Sequence, residues 1–183
     1  MLIDATTAGV DELGLRGLAR AATEASGAAY VSRAYRFPYA LVAWHSANVG
    51  VDIERAIDLD ASVAKVICTP AELATYSHGG AELSTLWSAK EALAKALGDA
   101  LLYDPCRLTS PVNWPPVVLE EAISPQLRMA GQPRGAGRWR AVAIEVPAGY
   151  FGWLCWPTTA PNRRAQQPRQ CIVEGGVEAR GLT

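Results

Sequence analysis

The run L-S-T-L-W-S-A-K-E-A-L-A-K-A-L-G at residues 83–98 constrains the fold more than any other part of this chain. Its apolar residues recur three and four positions apart, which predicts an amphipathic helix with one face toward a core. Gly98 follows the last apolar residue, as is typical of a helix C-terminus. At about 100° per residue, Lys90 falls near the middle of the apolar stripe and Glu91 at its edge. A lysine directed at a core needs an anionic partner or a route to solvent, because burying an unpaired ammonium is unfavourable.

A second constraining feature is the segment V-G-V-D-I-E at residues 49–54. Its β-branched residues predict a strand on which Asp52 and Glu54 share one face. Two neighbouring carboxylates suit Mg²⁺, which takes one or two of them and completes its shell with water and phosphate oxygens. Two ordinary interpretations stay open at this point. In the first, the strand is an edge strand whose carboxylates face solvent. In the second, the helix is an ordinary surface helix with a Glu91–Lys95 pair worth about 0.2–0.5 kcal/mol.

Together these two segments resemble the 4′-phosphopantetheinyl transferases, in the form found in the surfactin-synthetase-type branch. The family signature is a (V/I)-G-(V/I)-D-x-E strand, followed some tens of residues later by (F/W)-(S/C/T)-x-K-E-(A/S)-x-x-K. This chain has V-G-V-D-I-E at 49–54 and W-S-A-K-E-A-L-A-K at 87–95, so both halves match at every position. Agreement in order, spacing and residue type makes the pair far more specific than either motif alone.

The resemblance implies transfer of the 4′-phosphopantetheine arm of coenzyme A to a serine of an acyl or peptidyl carrier protein, as in a holo-acyl-carrier-protein synthase. Polyketide or nonribosomal peptide biosynthesis is the implied setting. The implied metal is Mg²⁺, with Mn²⁺ as a substitute, held by Asp52, Glu54 and Glu91. Glu91 would also take the serine proton, and Lys90 would act with it in catalysis. Lys90 and Lys95 would contact phosphates or the leaving group.

The expected fold class is α+β, with an antiparallel sheet packed on the long helix. The resemblance implies a pseudo-dimer of two similar lobes with coenzyme A in the cleft between them. We therefore predict a shortened N-terminal lobe at 1–48, a C-terminal lobe carrying the metal and coenzyme A motifs at 49–156, and a flexible tail at 157–183. The first lobe is shorter than is usual in the family and lacks a G-K-P-like segment.

Other elements follow from periodicity and from turn and capping signals. Three further helices are predicted, at 10–24, at 58–67 and from the T-P-A-E capping signal at 69–72 onward. Five further strands are predicted, at 28–35, 39–44, 117–121, 139–146 and 150–156. The first two of these strands and the 49–54 strand should form an antiparallel meander, because short connections favour neighbouring strands.

In the family, an S-H-S-like triplet usually lies at the place of residues 31–34, and its histidine contacts the 3′-phosphate of the nucleotide. Here Arg33 occupies the histidine position. Arginine is always charged and can bind phosphate oxygens in bidentate fashion, so the resemblance implies that Arg33 contacts coenzyme A. The alternative is a surface arginine beside Arg36.

The composition excludes several classes of protein. The formal net charge of the 183 residues is −1, whereas binders of nucleic acids or anionic membranes are usually basic, so neither partner is expected. Four cysteines without a C-x-x-C and only two histidines argue against a zinc site and favour the cytoplasm. No apolar run approaches the ~20 residues of a membrane span, and acidic residues interrupt any signal-peptide core near the N-terminus.

The short first lobe predicts uncovered apolar surface near residues 39–44, which favours a homo-oligomer or a docked partner. Alternatively, the C-terminal tail covers this surface. Two other functions also stay open. One is a non-catalytic, carrier-protein-binding relative of the same fold, and the other is a structural domain whose motif match is accidental.

Overall fold

The computed structural model describes residues 1–98, 100–101, 103–113 and 138–158. The strands are β1 Leu2–Asp4, β2 Tyr30–Arg36, β3 Tyr39–His45, β4 Gly50–Arg55, β5 Arg138–Ile144 and β6 Tyr150–Thr158. The helices are α1 Ala5–Ala8, α2 Glu12–Ala25, α3 Ala61–Ile67, α4 Pro70–Tyr76 and α5 Ala81–Leu97, with short 3-10 turns at Pro105–Arg107 and Pro111–Asn113.

These strands form two antiparallel sheets that share one plan. The first sheet has the order β1-β3-β2 and the second sheet the order β4-β6-β5. Among the described elements of each sheet, a strand is followed by helical structure and then by two strands, of which the last pairs between the other two. The predicted α+β class with antiparallel sheets is confirmed, and the repeated plan is consistent with the expected pseudo-dimer. The predicted lobe boundaries and the shortening of the first lobe stay predictions.

The predicted three-stranded meander is wrong at β4. The strands β2 and β3 do form an antiparallel pair, but β4 pairs with β6, from Gly50 opposite Cys155 to Arg55 opposite Tyr150. Residues 46–49 thus lead from one sheet into the other. Alternation along the chain shows which face of a strand is buried but not which strand pairs with it, so the sequence pattern could not distinguish the two arrangements.

A shared apolar cluster joins the two sheets. Its buried members are Ala34, Leu41, Val51 and Ile53, and we call them the inter-sheet cluster. The Val51 amide also donates a hydrogen bond of 3.1 Å to the Ser32 hydroxyl of β2. Because Val51 and Ile53 face this cluster, the alternate residues of β4 face the other way, toward α5.

The predicted long helix is confirmed as α5, which begins after Gly80 and ends at Gly98 in the left-handed conformation, with φ of 87°. It lies so close to β4 that a Cβ atom on Gly50 would come within 1.9 Å of the Ala92 carbonyl oxygen and 2.5 Å of the Ala96 amide nitrogen. Such distances to backbone atoms leave room only for glycine. Gly50 of the strand motif therefore allows α5 to pack in direct contact with the backbone of β4.

The expected uncovered apolar surface near residues 39–44 is wrong for most of this strand. Ala40 and Val42 pack in one buried cluster with Leu15 and Ala19 of α2. The alternate residue Leu41 belongs to the inter-sheet cluster, so the middle of β3 is covered on both faces, whereas Trp44 near its end is 37% exposed. The prediction of a homo-oligomer consequently loses most of this support and stays a prediction.

The helices predicted at 58–67 and from residue 69 are confirmed as α3 and α4, and the Thr69–Glu72 capping box is formed. The elements β1 and α1 were not predicted, because three and four residues are too short to show periodicity. The predicted strand at 117–121 lies outside the described residues, as does the predicted tail beyond residue 158. No described helix is both long enough and apolar enough to cross a membrane.

Candidate active site

Asp52 lies on the face of β4 that α5 covers, and it is buried at 4% exposure. Its Oδ1 accepts a hydrogen bond of 2.7 Å from the ammonium of Lys95, which also donates to the Val51 carbonyl at 3.2 Å. Its Oδ2 is buried and has no hydrogen-bond partner within the described ranges. An unpaired buried acceptor is unfavourable by about 1–3 kcal/mol. Asp52 Oδ2 is therefore chemically suited to coordinate a cation.

Glu54 projects from the same face of β4 and is bound by Arg36 of β2. The guanidinium donates from Nε to Oε2 at 2.5 Å and from Nη2 to Oε1 at 2.7 Å, which is a bidentate pair across the two sheets. Burial raises the pKa of Glu54, and this bond with Arg36 opposes the rise. Nothing in the local sequence of Arg36 indicates that it reaches Glu54, so this pair could not be predicted.

Glu91 on α5 is bound by a residue outside both motifs. The Tyr103 hydroxyl donates a hydrogen bond of 2.5 Å to Glu91 Oε1. Burial raises the pKa of the Glu91 carboxyl, while this bond opposes the rise and the charge of Asp52 adds to it. Burial and the neighbouring Glu91 raise the pKa of the Tyr103 phenol far above its ordinary value, so this group is a neutral donor. A raised pKa makes Glu91 a better proton acceptor.

The three carboxylates predicted to hold a metal each have a partner from the chain itself: Lys95 for Asp52, Arg36 for Glu54 and Tyr103 for Glu91. In the described part of the chain, no group of three or more histidines, cysteines, aspartates and glutamates is arranged to hold a metal ion. Mg²⁺ needs only one or two protein carboxylates, and the unpartnered Asp52 Oδ2 supplies one such donor. The donor chemistry fits the cation, and the three-ligand assignment stays a prediction.

Lys90 is fully buried, as its place on the apolar stripe predicted. Its ammonium donates to Glu72 Oε2 at 2.5 Å, to the Ile67 carbonyl at 2.5 Å and to the Pro105 carbonyl at 2.9 Å. Burial lowers the pKa of Lys90, and the hydrogen bond to Glu72 opposes this. All three ammonium protons are thus engaged. The predicted contact between Lys90 and a phosphate is untested, and it would require one of these acceptors to be exchanged.

Glu72 is the functional neighbour that sequence reasoning missed, because the T-P-A-E signal explains it as a capping residue. Besides binding Lys90, its carboxylate accepts from the Thr69 amide at 2.7 Å and from the Ser110 amide at 2.6 Å. The buried Lys90–Glu72 pair therefore connects α4, α5 and the segment that follows Tyr103.

Next to Lys95 lies a cavity of about 360 Å³, which we call the cationic pocket. It is lined by four cationic side chains, Arg16, Arg20, Arg33 and Lys95, together with Val31, Ser32 and Tyr35. Three contacts hold two of its arginines in place. Arg33 donates to the Thr23 hydroxyl at 3.2 Å. Arg16 lies 4.7 Å above the ring of Tyr35 and donates to Glu12 Oε1 at 3.0 Å. The structure thus brings Arg33 and Lys95, which were both predicted to bind coenzyme A, to the same pocket.

Arg16 and Arg20 are lining residues that sequence reasoning missed, because arginines four apart on a helix resemble an ordinary solvated face. The signal that identifies them is spatial, since α2 packs beside β2. An open cavity with several fixed cations suits a substrate that carries phosphate groups.

A family model described as ACPS, 4′-phosphopantetheinyl transferase superfamily, matches residues 48–142. This range is more than half of the chain and contains both motifs. A search of curated proteins gives no match.

Proposed function

The chain belongs to the 4′-phosphopantetheinyl transferase superfamily, and we propose that it transfers the 4′-phosphopantetheine group of coenzyme A to a serine of an acyl or peptidyl carrier protein. The main supporting observation is that Lys95 both pairs with Asp52 and lines the cationic pocket. A pocket suited to phosphate and a carboxylate suited to a cation are thereby adjacent. A reaction at a pyrophosphate needs these two features side by side.

In the proposed reaction the serine oxygen bonds to the phosphorus that carries the pantetheine arm, and the pyrophosphate bridge breaks to release adenosine 3′,5′-bisphosphate. Asp52, Glu54 and Glu91 would hold Mg²⁺, or Mn²⁺ in its place. A bound cation of this kind would neutralise charge on the pyrophosphate oxygens. Glu91 would accept the serine proton, and its raised pKa favours this role. Lys95 would balance charge on the leaving bisphosphate.

Arg33 would hold the 3′-phosphate, with Arg16 and Arg20 adding positive charge around it. The catalytic role predicted for Lys90 is kept as an untested proposal because its ammonium protons are engaged elsewhere. We place the reaction in the cytoplasm, in polyketide or nonribosomal peptide biosynthesis. The free thiols of Cys68, Cys106 and Cys155 are compatible with a reducing compartment.

The direct test is incubation of the protein with coenzyme A, Mg²⁺ and an apo carrier protein, followed by mass spectrometry of the carrier. We expect the carrier to gain the mass of one phosphopantetheine group. Reactions without coenzyme A, or with a chelator of divalent cations, are the controls. Carrier binding without a mass increase would favour the non-catalytic alternative.

Replacing Arg33 with alanine should weaken binding of coenzyme A while hardly affecting dephospho-coenzyme A, which lacks the 3′-phosphate. A charge-assisted contact is worth about 1.5–3 kcal/mol. We therefore expect calorimetry to give a dissociation constant for coenzyme A that is larger by roughly ten- to a hundredfold. Arg140→Ala, which removes an exposed arginine from β5, is the matched control and should change neither constant. Equal weakening for both nucleotides would show that Arg33 does not contact the 3′-phosphate.

A further inference from the structure

We propose that Tyr103 is a positioning residue for Glu91, holding one oxygen of the carboxylate so that the other is presented to the proton it must accept. The inference rests on the proposed function, because it concerns the group assigned to take the serine proton. Tyr103 lies outside both motifs and is twelve residues from Glu91 in the chain.

The contact itself is short and has an ionisable acceptor. The Tyr103 hydroxyl lies 2.5 Å from Glu91 Oε1, and hydrogen bonds to a carboxylate are about twice as strong as neutral ones. Within the described residues, no hydrogen bond reaches Glu91 Oε2. One oxygen of Glu91 is therefore held while the other is left available.

The Tyr103 ring is fixed by packing as well. It lies against the buried cluster that α5 forms with Leu108 and Trp139. Leu108 has no exposed surface, and Trp139 has 1%. The ring cannot easily move away from Glu91 without opening this cluster.

The backbone that carries Tyr103 is anchored by the buried pair described above. The Pro105 carbonyl, two residues after Tyr103, accepts from the Lys90 ammonium at 2.9 Å. The Ser110 amide donates to Glu72 at 2.6 Å. Lys90 and Glu91 are neighbours on α5, so the helix that carries Glu91 also anchors the segment that carries its hydrogen-bond donor. The geometry of the pair is thus set by contacts between α5 and this one segment.

This arrangement matters because a glutamate has three rotatable side-chain bonds, whereas proton transfer requires one orientation. A displacement of about 1 Å in a reacting group can lower a rate roughly a hundredfold. Tyr103 does not line the cationic pocket, so the loss of its hydroxyl should leave coenzyme A binding intact. The expected signature is a change in kcat without a change in KM.

The test is Tyr103→Phe, which keeps the packed ring and removes only the hydroxyl. We expect kcat to fall roughly tenfold, which is part of the 10²–10⁴-fold effect of a general base, while KM for coenzyme A stays the same. Tyr39→Phe is the control, because Tyr39 packs against the inter-sheet cluster on the opposite face of β4. It should change neither constant.

A second measurement does not depend on activity. In thermal unfolding, Tyr103→Phe should lower the midpoint in the wild-type protein but not in a Glu91→Ala background, because the acceptor is already absent there. Equal losses in both backgrounds would show that the two residues do not interact, and would overturn the inference.

Activity distinguishes this inference from the proposed function. Normal kcat in Tyr103→Phe, with an active wild-type protein, overturns the positioning role alone. A wild-type protein that cannot modify any apo carrier with coenzyme A and Mg²⁺ overturns the proposed function, and the positioning role with it.

Discussion

Replacing Lys90 with methionine should lower the free energy of unfolding by about 3–5 kcal/mol, because it leaves the Glu72 carboxylate buried without its counter-charge. The two side chains are 0% and 3% exposed, and their charged atoms lie 2.5 Å apart. Methionine has nearly the length of lysine, so the loss should come from the missing charge and from the missing hydrogen bonds to the Ile67 and Pro105 carbonyls rather than from a cavity. Urea unfolding followed by circular dichroism measures the change.

The matched control is Lys65→Met, which makes the same substitution at an exposed lysine of α3. Its effect should stay within about 0.5 kcal/mol. Adding Glu72→Gln to Lys90→Met should recover part of the loss, because the buried charge is then gone. Recovery should be incomplete, since a glutamine offers only one acceptor to the Thr69 and Ser110 amides. If Lys90→Met is as mild as Lys65→Met, the buried pair is not what holds this region together.

The orientation of the site residues could be predicted from local patterns. Period-two alternation placed Asp52 and Glu54 on one face of β4, and helical periodicity placed Lys90 on the buried stripe of α5. Both signals depend on the geometry of a single element, so a single sequence carries them. The structure also explains why the strand motif has a glycine at position 50, because α5 lies directly against Gly50.

The partners of these residues could not be predicted in the same way. Glu72, Arg36 and Tyr103 meet Lys90, Glu54 and Glu91 only after helices and sheets have packed, across separations of 12 to 18 residues. Glu72 has an ordinary local explanation as a capping residue, and neither Arg36 nor Tyr103 lies in either motif. A residue that its local sequence already explains gives no sign of a tertiary role. The pairing of β4 with β6 was missed because alternation along a strand does not identify the strand that pairs with it.

Glu91→Gln should be the most damaging substitution for the proposed transfer, lowering kcat by about 10²–10⁴-fold, the range of general-base catalysis. Glutamine has nearly the same shape and can still accept the Tyr103 hydrogen bond, but its amide cannot take the serine proton. It also removes one negative charge from the predicted metal ligands, so the dependence on Mg²⁺ concentration should shift upward. Mass spectrometry of the carrier over time gives the rate, and circular dichroism checks that the fold is retained.

The control for that experiment is Glu82→Gln, at an exposed glutamate in the first turn of the same helix. It should leave the rate unchanged, since its side chain faces solvent. Asp52→Asn and Glu54→Gln should also raise the Mg²⁺ concentration that the reaction needs, but they should lower kcat less severely, because they remove a predicted ligand charge without removing the proposed base. If Glu91→Gln turned over at nearly the normal rate with Mg²⁺, the proton would have to leave by another route. The assignment of Glu91 as base would then be wrong, whereas the cationic pocket and the family would be unaffected.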